Sequence, residues 1–239
     1  RDSRQSTVSS VRSHSTAHPA SNPAAVFIRL ESQHSSESSQ GSVEEGGRTP
    51  VRPVTSLDQL YVQAAGVHAL LVQKVRTWGL KSKGRCRVEG SNEFVLWTDV
   101  RKGSLEKRVK VAVLKKTERA VEKVIRAYKG KVARLCDVCR ESIYFERLDQ
   151  LVACLQEIRT DPDVVLLAVK NRYSLDYEDL KTAGYRDLNV NLRIVTEESE
   201  ALGVHLHICE LQLILTEFAS LKTESGHKRY VAYRNALGE

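Results

Sequence analysis

The sequence predicts an α/β (α+β) fold in which a mixed or antiparallel central sheet is flanked by helices. From residue 142 onward, short apolar runs of strand length alternate with segments whose apolar residues recur at helical spacing. Within this region, residues 185–195 alternate between polar and apolar side chains, which is typical of a strand with one buried face. Residues 54–239 are therefore expected to form one domain, with a helical and hairpin extension at its N-terminal end.

Residues 1–53 are expected to be a disordered tail or linker. They are rich in Ser, and apolar side chains are sparse outside residues 24–30. Such a segment buries too little apolar surface to offset the entropy lost on ordering. Because the 239 residues contain no methionine, the chain is expected to be a fragment or a processed product.

The overall composition narrows the class of protein and its partners. A net charge of +7 favours anionic partners such as nucleotides or RNA. Five cysteines at irregular spacing do not suggest a secreted disulfide framework, and no apolar run approaches the ~20 residues of a membrane span. We expect an intracellular, cytoplasmic protein that does not enter a membrane. The sequence leaves open whether the protein is targeted to an organelle and whether it forms oligomers.

The first predicted element is a helix that begins at Ser56. Ser56 and Gln59 fit a capping box, and apolar side chains then recur at helical spacing up to Gly79, which is a plausible stop. His68 lies on this apolar stripe. We interpret it as a core residue rather than a ligand.

A hairpin and a basic helix are predicted next. Residues 85–98 resemble a hairpin with its turn at 90–92, and residues 104–128 resemble a helix. The helix surface is strongly basic: Lys107, Arg108, Lys110, Lys115, Lys116, Arg119, Lys123 and Arg126. This surface either opposes a phosphate site or is a solvated face with i,i+4 ion pairs.

Strands and helices alternate over the rest of the chain. The predicted elements are a strand at 142–145, a helix at 148–158, a buried strand at 164–170, a short helix or loop at 175–181, strands at 185–195 and 205–215 joined by an acidic loop at 196–203, and helices around Phe218 and at 227–235. Cys136 and Cys139, and likewise His205 and His207, are expected to be packing residues rather than metal ligands.

The two late strands are predicted to share a polar face. Tyr185, Asp187 and Asn189 lie on one side of their strand, and antiparallel pairing would add Glu210 and Gln212 to that side. Carboxylates bind Mg²⁺ and can accept a proton, while an aromatic ring can stack on a base. The alternative is an ordinary solvated face of an antiparallel sheet.

These same residues carry a resemblance to a known family. Residues 183–190 are Ala-Gly-Tyr-Arg-Asp-Leu-Asn-Val, and residues 209–213 are Cys-Glu-Leu-Gln-Leu. The pair resembles the Gly-Tyr-Arg-Ser-Leu-His and Glu-x-Gln signature of the RelA/SpoT synthetase domain, which has a nucleotidyltransferase fold. That family makes (p)ppGpp by moving pyrophosphate from ATP to the 3′-hydroxyl of GDP or GTP. The resemblance covers roughly residues 110–215.

The resemblance implies a role for each matching residue. Tyr185 would stack on the acceptor guanine. Asp137 would hold Mg²⁺, and Glu210 would join it at the metal or act as the base toward the 3′-hydroxyl. The implied nucleotide-binding set is completed by Lys116 and Lys123 on the ATP phosphates, Lys170 and Lys181 on the acceptor phosphates, and Arg186, Asn189 and Gln212.

The chain also departs from the family pattern. Asp187 and Asn189 replace its Ser and His, and Lys170-Asn171-Arg172 stands where the family has Lys-Asp-Tyr. On the ATP side, Leu114, Ala120 and Ser142 replace Arg, Ser and Arg. Three hypotheses follow: an active pyrophosphotransferase, a degenerate domain that binds a nucleotide or partner without Mg²⁺, and an RNA-binding module built on residues 107–131.

Overall fold

The computed structural model describes residues 27–28, 53–101, 104–177, 182 and 184–221. The strands are β1 Phe27–Ile28, β2 Arg85–Arg87, β3 Phe94–Leu96, β4 Arg140–Phe145, β5 Val164–Asn171, β6 Leu188–Ile194 and β7 Cys209–Leu215. The α-helices are α1 Leu57–Lys81, α2 Trp97–Arg101, α3 Thr117–Tyr128, α4 Leu148–Thr160, α5 Glu197–Ala201 and α6 Thr216–Leu221. In this part of the chain, no helix is long and apolar enough to cross a bilayer.

The strands form one mixed sheet in the order β1-β5-β6-β7-β4-β2-β3. The pair β4–β7 is parallel, and the other pairs are antiparallel. The predicted mixed sheet with flanking helices is therefore confirmed. The predicted disorder of residues 1–53 lies outside the described residues, apart from the strand Phe27–Ile28, which pairs with β5.

One face of the sheet packs on α1 and α4. It presents alternate apolar side chains from the central strands, all of them buried: Ile143, Phe145, Val190, Leu192, Leu211 and Leu213. Period-2 alternation turns the intervening polar side chains to the opposite face. The apolar core thus fixes which side of the sheet is free for a site.

Helix α1 begins as predicted but ends later. The Ser56 hydroxyl accepts a hydrogen bond from the Gln59 amide at 3.2 Å. The helix continues past Gly79, so this glycine does not end it. Gly79 instead allows another side chain to pack closely against the helix. A Cβ on Gly79 would lie 2.2 Å from Cδ1 of Trp97. Trp97 itself begins α2 instead of extending the hairpin strand.

The predicted helix over 104–128 is wrong in its first half. Residues 104–108 form a 3₁₀ helix, residues 109–116 are extended, and only Thr117–Tyr128 is α-helical. Val109 forms a bridge with Val88, and the Lys110 amide donates to the Arg87 carbonyl at 2.8 Å. Pairing with the hairpin thus replaces helical hydrogen bonds, and the basic residues do not share one helix.

Several other boundaries differ from the prediction. Strand β5 is less buried than expected: only Val169 is fully buried, and Val164 and Leu166 pack half-buried against the core. The acidic loop contains α5, which begins with a capping box between Thr196 and Ser199. Strands β6 and β7 begin at Leu188 and Cys209, so the segments before them are loops. The helix predicted at 227–235 lies outside the described residues.

His207 gives a prediction about acid stability. The side chain is 3 % exposed, neither ring nitrogen has a hydrogen-bond partner in the described part of the chain, and burial lowers its pKa to about 4. An unfolded histidine titrates near 6.5, so the unfolded state takes up the proton first as pH falls. This group alone should cost about 2 kcal/mol of stability between pH 7.5 and pH 5.

The test is urea unfolding of the wild type and His207→Leu at both pH values, with His205→Gln as the histidine control. The Leu variant should lose less stability on acidification than the wild type and the control. Equal losses in all three proteins would contradict the assignment to His207.

Candidate functional site

The free face of the sheet carries a row of polar side chains across four strands. Lys170 pairs with Asn189, Asn189 with Gln212, and Gln212 with Ser142. The predicted antiparallel pairing of the two late strands is confirmed, and Glu210 lies on the same face, opposite Asn191. These side chains are held by backbone ladders, so their spacing is rigid.

The ends of β4 and β7 bring the two candidate catalytic carboxylates together. Arg140 pairs with Glu210, and the Glu210 amide donates to the Cys139 carbonyl at 3.0 Å. Asp137 lies two residues before Cys139 and precedes the strand. Its charge contributes to the pKa of Glu210, as expected for neighbouring groups. The two carboxylates are thus neighbours, as the predicted site requires.

Asp137 is held ionised by two lysines. The side chain is 6 % exposed, and its Oδ2 accepts hydrogen bonds from Lys115 Nζ at 2.8 Å and Lys123 Nζ at 2.9 Å. Burial opposes ionisation, but the two ammonium groups outweigh it and lower the pKa of Asp137. Conversely, the Asp137 charge outweighs the burial of Lys123 and raises the pKa of that lysine.

Glu210 has the opposite electrostatic character. Burial raises its pKa, and the charges of Asp137 and Asp187 raise it further. A hydrogen bond with Asn189 and the charge of Lys123 oppose the shift without cancelling it. A carboxylate with a raised pKa binds a proton more strongly than an ordinary glutamate, which suits a group that accepts a proton from a hydroxyl.

Tyr185 lies in the loop before β6 and is partly buried. Its amide donates to the Thr182 carbonyl at 3.1 Å, and the Thr182 hydroxyl donates to the Tyr185 carbonyl at 2.8 Å. Burial raises the pKa of the Tyr185 phenol, so the ring is neutral at physiological pH. A neutral aromatic ring with a fixed backbone can act as a platform for a base.

The predicted lysines are distributed unevenly around this centre. Lys123 reaches Asp137, and Lys170 lies beside Asn189 with its ammonium 5.9 Å from the centre of the Tyr177 ring. Lys116 is an exposed residue at the N-cap of α3. Lys181 lies outside the described residues. The Arg186 guanidinium donates to the carbonyls of loop residues 172 and 174.

Lys115 was predicted only as part of the basic surface, whereas the contact with the ATP phosphates was predicted for the neighbouring Lys116. The two lysines differ in their surroundings: Lys115 Nζ contacts Asp137 Oδ2, whereas Lys116 is exposed. The Lys115 amide donates to the Val138 carbonyl at 3.0 Å.

Three buried oxygen atoms of the site have no hydrogen-bond partner among the residues that the structure describes. They are Asp137 Oδ1, Asp187 Oδ2 and Asn191 Oδ1. Buried acceptors are normally satisfied, so these atoms leave acceptor positions open to a ligand with donors or positive charge.

The donor set around Asp137 and Glu210 fits Mg²⁺. Asp137 keeps Oδ1 free, and the raised pKa of Glu210 reflects in part a repulsion that a divalent cation would relieve. No group of three or more His, Cys, Asp or Glu side chains gathers in the described ranges. Mg²⁺ commonly uses one or two carboxylates and completes its shell with phosphates and water, so two carboxylates suffice.

A cavity of about 310 Å³ lies between the extended segment and β4. It exists because β2 pairs with β4 only at Arg85 and Tyr144, which leaves the rest of this β4 edge open. Its walls are Val72, Val75, Cys86, Arg87, Trp97, residues 109–113 and residues 140–142 and 144. The walls are largely apolar, with Arg87, Lys110 and Arg140 as cationic members and Glu141 as an acidic one.

The fold and this face together define a mixed-sheet α/β domain whose polar site combines two carboxylates with lysines. Solved structures similar to the chain are small alarmone synthetases and GTP pyrophosphokinase family proteins. Small alarmone synthetase 1 from Bacillus subtilis, bound to its product pppGpp, is 14% identical over 75% of this chain and 89% of its own, with a TM-score of 0.45.

Two further structures resemble the chain to a similar degree. A GTP pyrophosphokinase family protein from Streptococcus pneumoniae is 13% identical over 74% of this chain and 80% of its own, with a TM-score of 0.48. The Type VI effector Tas1, in complex with its immunity protein, is 17% identical over 77% and 78%, with a TM-score of 0.44. No protein-family model matches the chain, and no curated protein matches it.

Proposed function

We propose that this chain is a RelA/SpoT-like pyrophosphotransferase that moves pyrophosphate from ATP to the 3′-hydroxyl of GDP or GTP. The observation that carries the proposal is the meeting of Asp137 and Glu210 at adjoining ends of β4 and β7, with two lysine ammonium groups on Asp137. Phosphoryl-group chemistry depends on positioning and charge stabilisation, and these groups supply both.

On the acceptor side, the Tyr185 ring stacks on guanine and Lys170 faces the acceptor phosphates. Glu210 accepts the proton of the 3′-hydroxyl while the 3′-oxygen bonds to the β-phosphorus of ATP. The bond between that phosphorus and the α,β-bridging oxygen breaks, and AMP leaves. The raised pKa of Glu210 helps it to take up the proton as the hydroxyl attacks.

On the donor side, Lys115 and Lys123 lie where they can bind the phosphates of ATP. The apolar cavity between the extended segment and β4 accommodates the planar adenine ring. Asp137 through Oδ1, together with Glu210, would hold Mg²⁺, which when bound neutralises charge on the phosphates.

The proposal is tested by incubating the purified protein with ATP, Mg²⁺ and GDP or GTP and resolving the nucleotides by chromatography. A pyrophosphorylated guanosine nucleotide and an equal amount of AMP are expected. An acceptor that lacks the 3′-hydroxyl should give neither product. Intact nucleotide binding without product, under all metals and acceptors, would refute the enzyme assignment.

A second candidate is a domain that binds nucleotide without catalysis. The contacts of Lys115 and Lys123 favour it, because Asp137 is already neutralised in the absence of a metal. It predicts ATP or GDP binding that is unchanged by a chelator. The pyrophosphotransferase instead predicts ATP binding that weakens when Mg²⁺ is removed.

A matched pair of lysine variants tests which residue serves the phosphates. Lys115→Met is expected to lower kcat/KM by roughly 10²-fold or more, because it removes the ammonium beside Asp137 that is proposed to bind the phosphates. Lys116→Met removes the same charge from an exposed position and should change kcat/KM by less than about threefold. Steady-state kinetics at saturating Mg²⁺ measures both. Equal losses, or a larger loss for Lys116, would contradict the assignment.

A further inference from the structure

Two departures from the family pattern come together next to Tyr185. Arg172 replaces a Tyr of the pattern and Asp187 replaces a Ser, and the two positions are fifteen residues apart in the chain. In the fold, Arg172 Nη1 donates a hydrogen bond to Asp187 Oδ1. Asp187 is completely buried. The two replacements are therefore complementary: each introduces a charge that the other neutralises.

Backbone hydrogen bonds lock the same two loop ends together. The Arg172 amide donates to the Asp187 carbonyl at 2.9 Å. The Arg186 guanidinium donates to the carbonyls of Arg172 and Ser174, at 3.3 and 3.0 Å. The chain on the C-terminal side of Tyr185 is thereby fixed to the end of β5.

The N-terminal side of Tyr185 is fixed independently. Thr182 bonds to both the amide and the carbonyl of Tyr185. The ring is therefore carried on a short stretch of chain, anchored by Thr182 before it and by Asp187 after it. Fixing the ring before the ligand arrives lowers the entropy lost on binding, so the anchors should affect affinity.

We propose that the ion pair of Arg172 and Asp187 is a positioning device that holds Tyr185 in place for stacking on the acceptor base. The proposal rests on the proposed role of Tyr185 in nucleotide binding. The pair acts through the ring, so it should matter only when the ring is present. Removing one ion leaves the other buried without a partner, which is costly, whereas removing both avoids that cost.

The binding experiment uses Arg172→Tyr, Asp187→Ser and the double variant, which restores the residues of the family pattern. Calorimetry with GDP gives the Kd of each protein, with Tyr185 intact and with Tyr185→Ala. Each single variant should weaken binding about tenfold, within the range expected for loss of a stacked base. The double variant should recover most of that loss. In the Tyr185→Ala background, the same changes should have little effect on the Kd.

A ligand-free experiment separates this proposal from the proposed function. In protein with ¹³C-labelled tyrosine, the Tyr185 ring signals are assigned with Tyr185→Phe. They should shift and broaden in Asp187→Ser and in the milder Asp187→Asn, and return toward the wild-type positions in the double variant. Asp149→Ser, which breaks an exposed ion pair with Arg147, serves as the control and should leave them unchanged.

The outcomes are distinct. Absence of GDP binding by the wild type would defeat the proposed function, while the ring signals would still decide the positioning role. Unchanged Tyr185 signals in both Asp187 variants would overturn the positioning role. So would losses of affinity of equal size with and without the Tyr185 ring.

Discussion

Glu210→Gln is expected to lower pyrophosphoryl transfer by roughly 10²- to 10⁴-fold, the usual contribution of a general base. The amide keeps the size of the side chain and a hydrogen bond with Asn189, but it cannot accept the proton of the 3′-hydroxyl. GDP affinity should change little, because Tyr185 and Lys170 are untouched. The measurement is the rate of AMP and product formation at saturating ATP and GDP.

The pH dependence of the wild type checks the same role. Glu210 must be ionised to act, and its pKa is raised by burial and by neighbouring acids. The rate should therefore increase with pH as Glu210 ionises and then level off. Glu157→Gln, a change at an ion pair between α1 and α4, is the control and should keep the wild-type rate and profile. An active Glu210→Gln protein would contradict the assignment.

Asp137→Asn is expected to have the second large effect, on activity and stability together. The change removes the proposed metal ligand and leaves Lys115 and Lys123 without their shared carboxylate. Activity should fall by roughly 10³-fold at ordinary Mg²⁺ concentrations, since charge stabilisation dominates this chemistry. Unfolding free energy should fall by about 3 kcal/mol, as when one partner of a buried pair is removed.

The stability of the two proteins as a function of acid pH tests the same ion pairs. Because the folded pKa of Asp137 is lowered, its contribution is present above the unfolded value of about 3.9 and is lost as pH falls toward the folded value. The Asn variant has no carboxylate to protonate at this position. Its unfolding free energy, measured with urea, should therefore not show this loss as the pH falls. A variant as stable as the wild type at pH 7, with Mg²⁺-dependent activity intact, would contradict the role of Asp137.

The central part of the fold could be predicted because its pattern is local. Residues 188–194 alternate strictly between apolar and polar, so the buried face and the partner face followed directly. The short connection to β7 then fixed antiparallel pairing, which placed Glu210 on the same side as Asn189. Helices α1 and α4 could be predicted for the same reason, since their apolar stripes are long and regular.

The remaining features depend on contacts between distant segments. Residues 109–116 are compatible with a helix by composition, and only pairing with the hairpin makes them extended. In that structure Lys115, and not Lys116, contacts Asp137, and for this reason the phosphate-side role is proposed for Lys115. Likewise, Arg172 and Asp187 are two unrelated departures from the family pattern when the sequences are compared. They form a complementary pair only because β5 and β6 are adjacent in the sheet.

The most direct test of the central claim is the fate of label from ATP. Parallel reactions contain ATP labelled at the α-, β- or γ-phosphate together with GDP and Mg²⁺. Pyrophosphoryl transfer predicts that β and γ label appear equally in the guanosine product, while α label appears only in AMP. Transfer of γ label alone would indicate a kinase, and transfer of α label a nucleotidyltransferase; either result would contradict the proposed reaction.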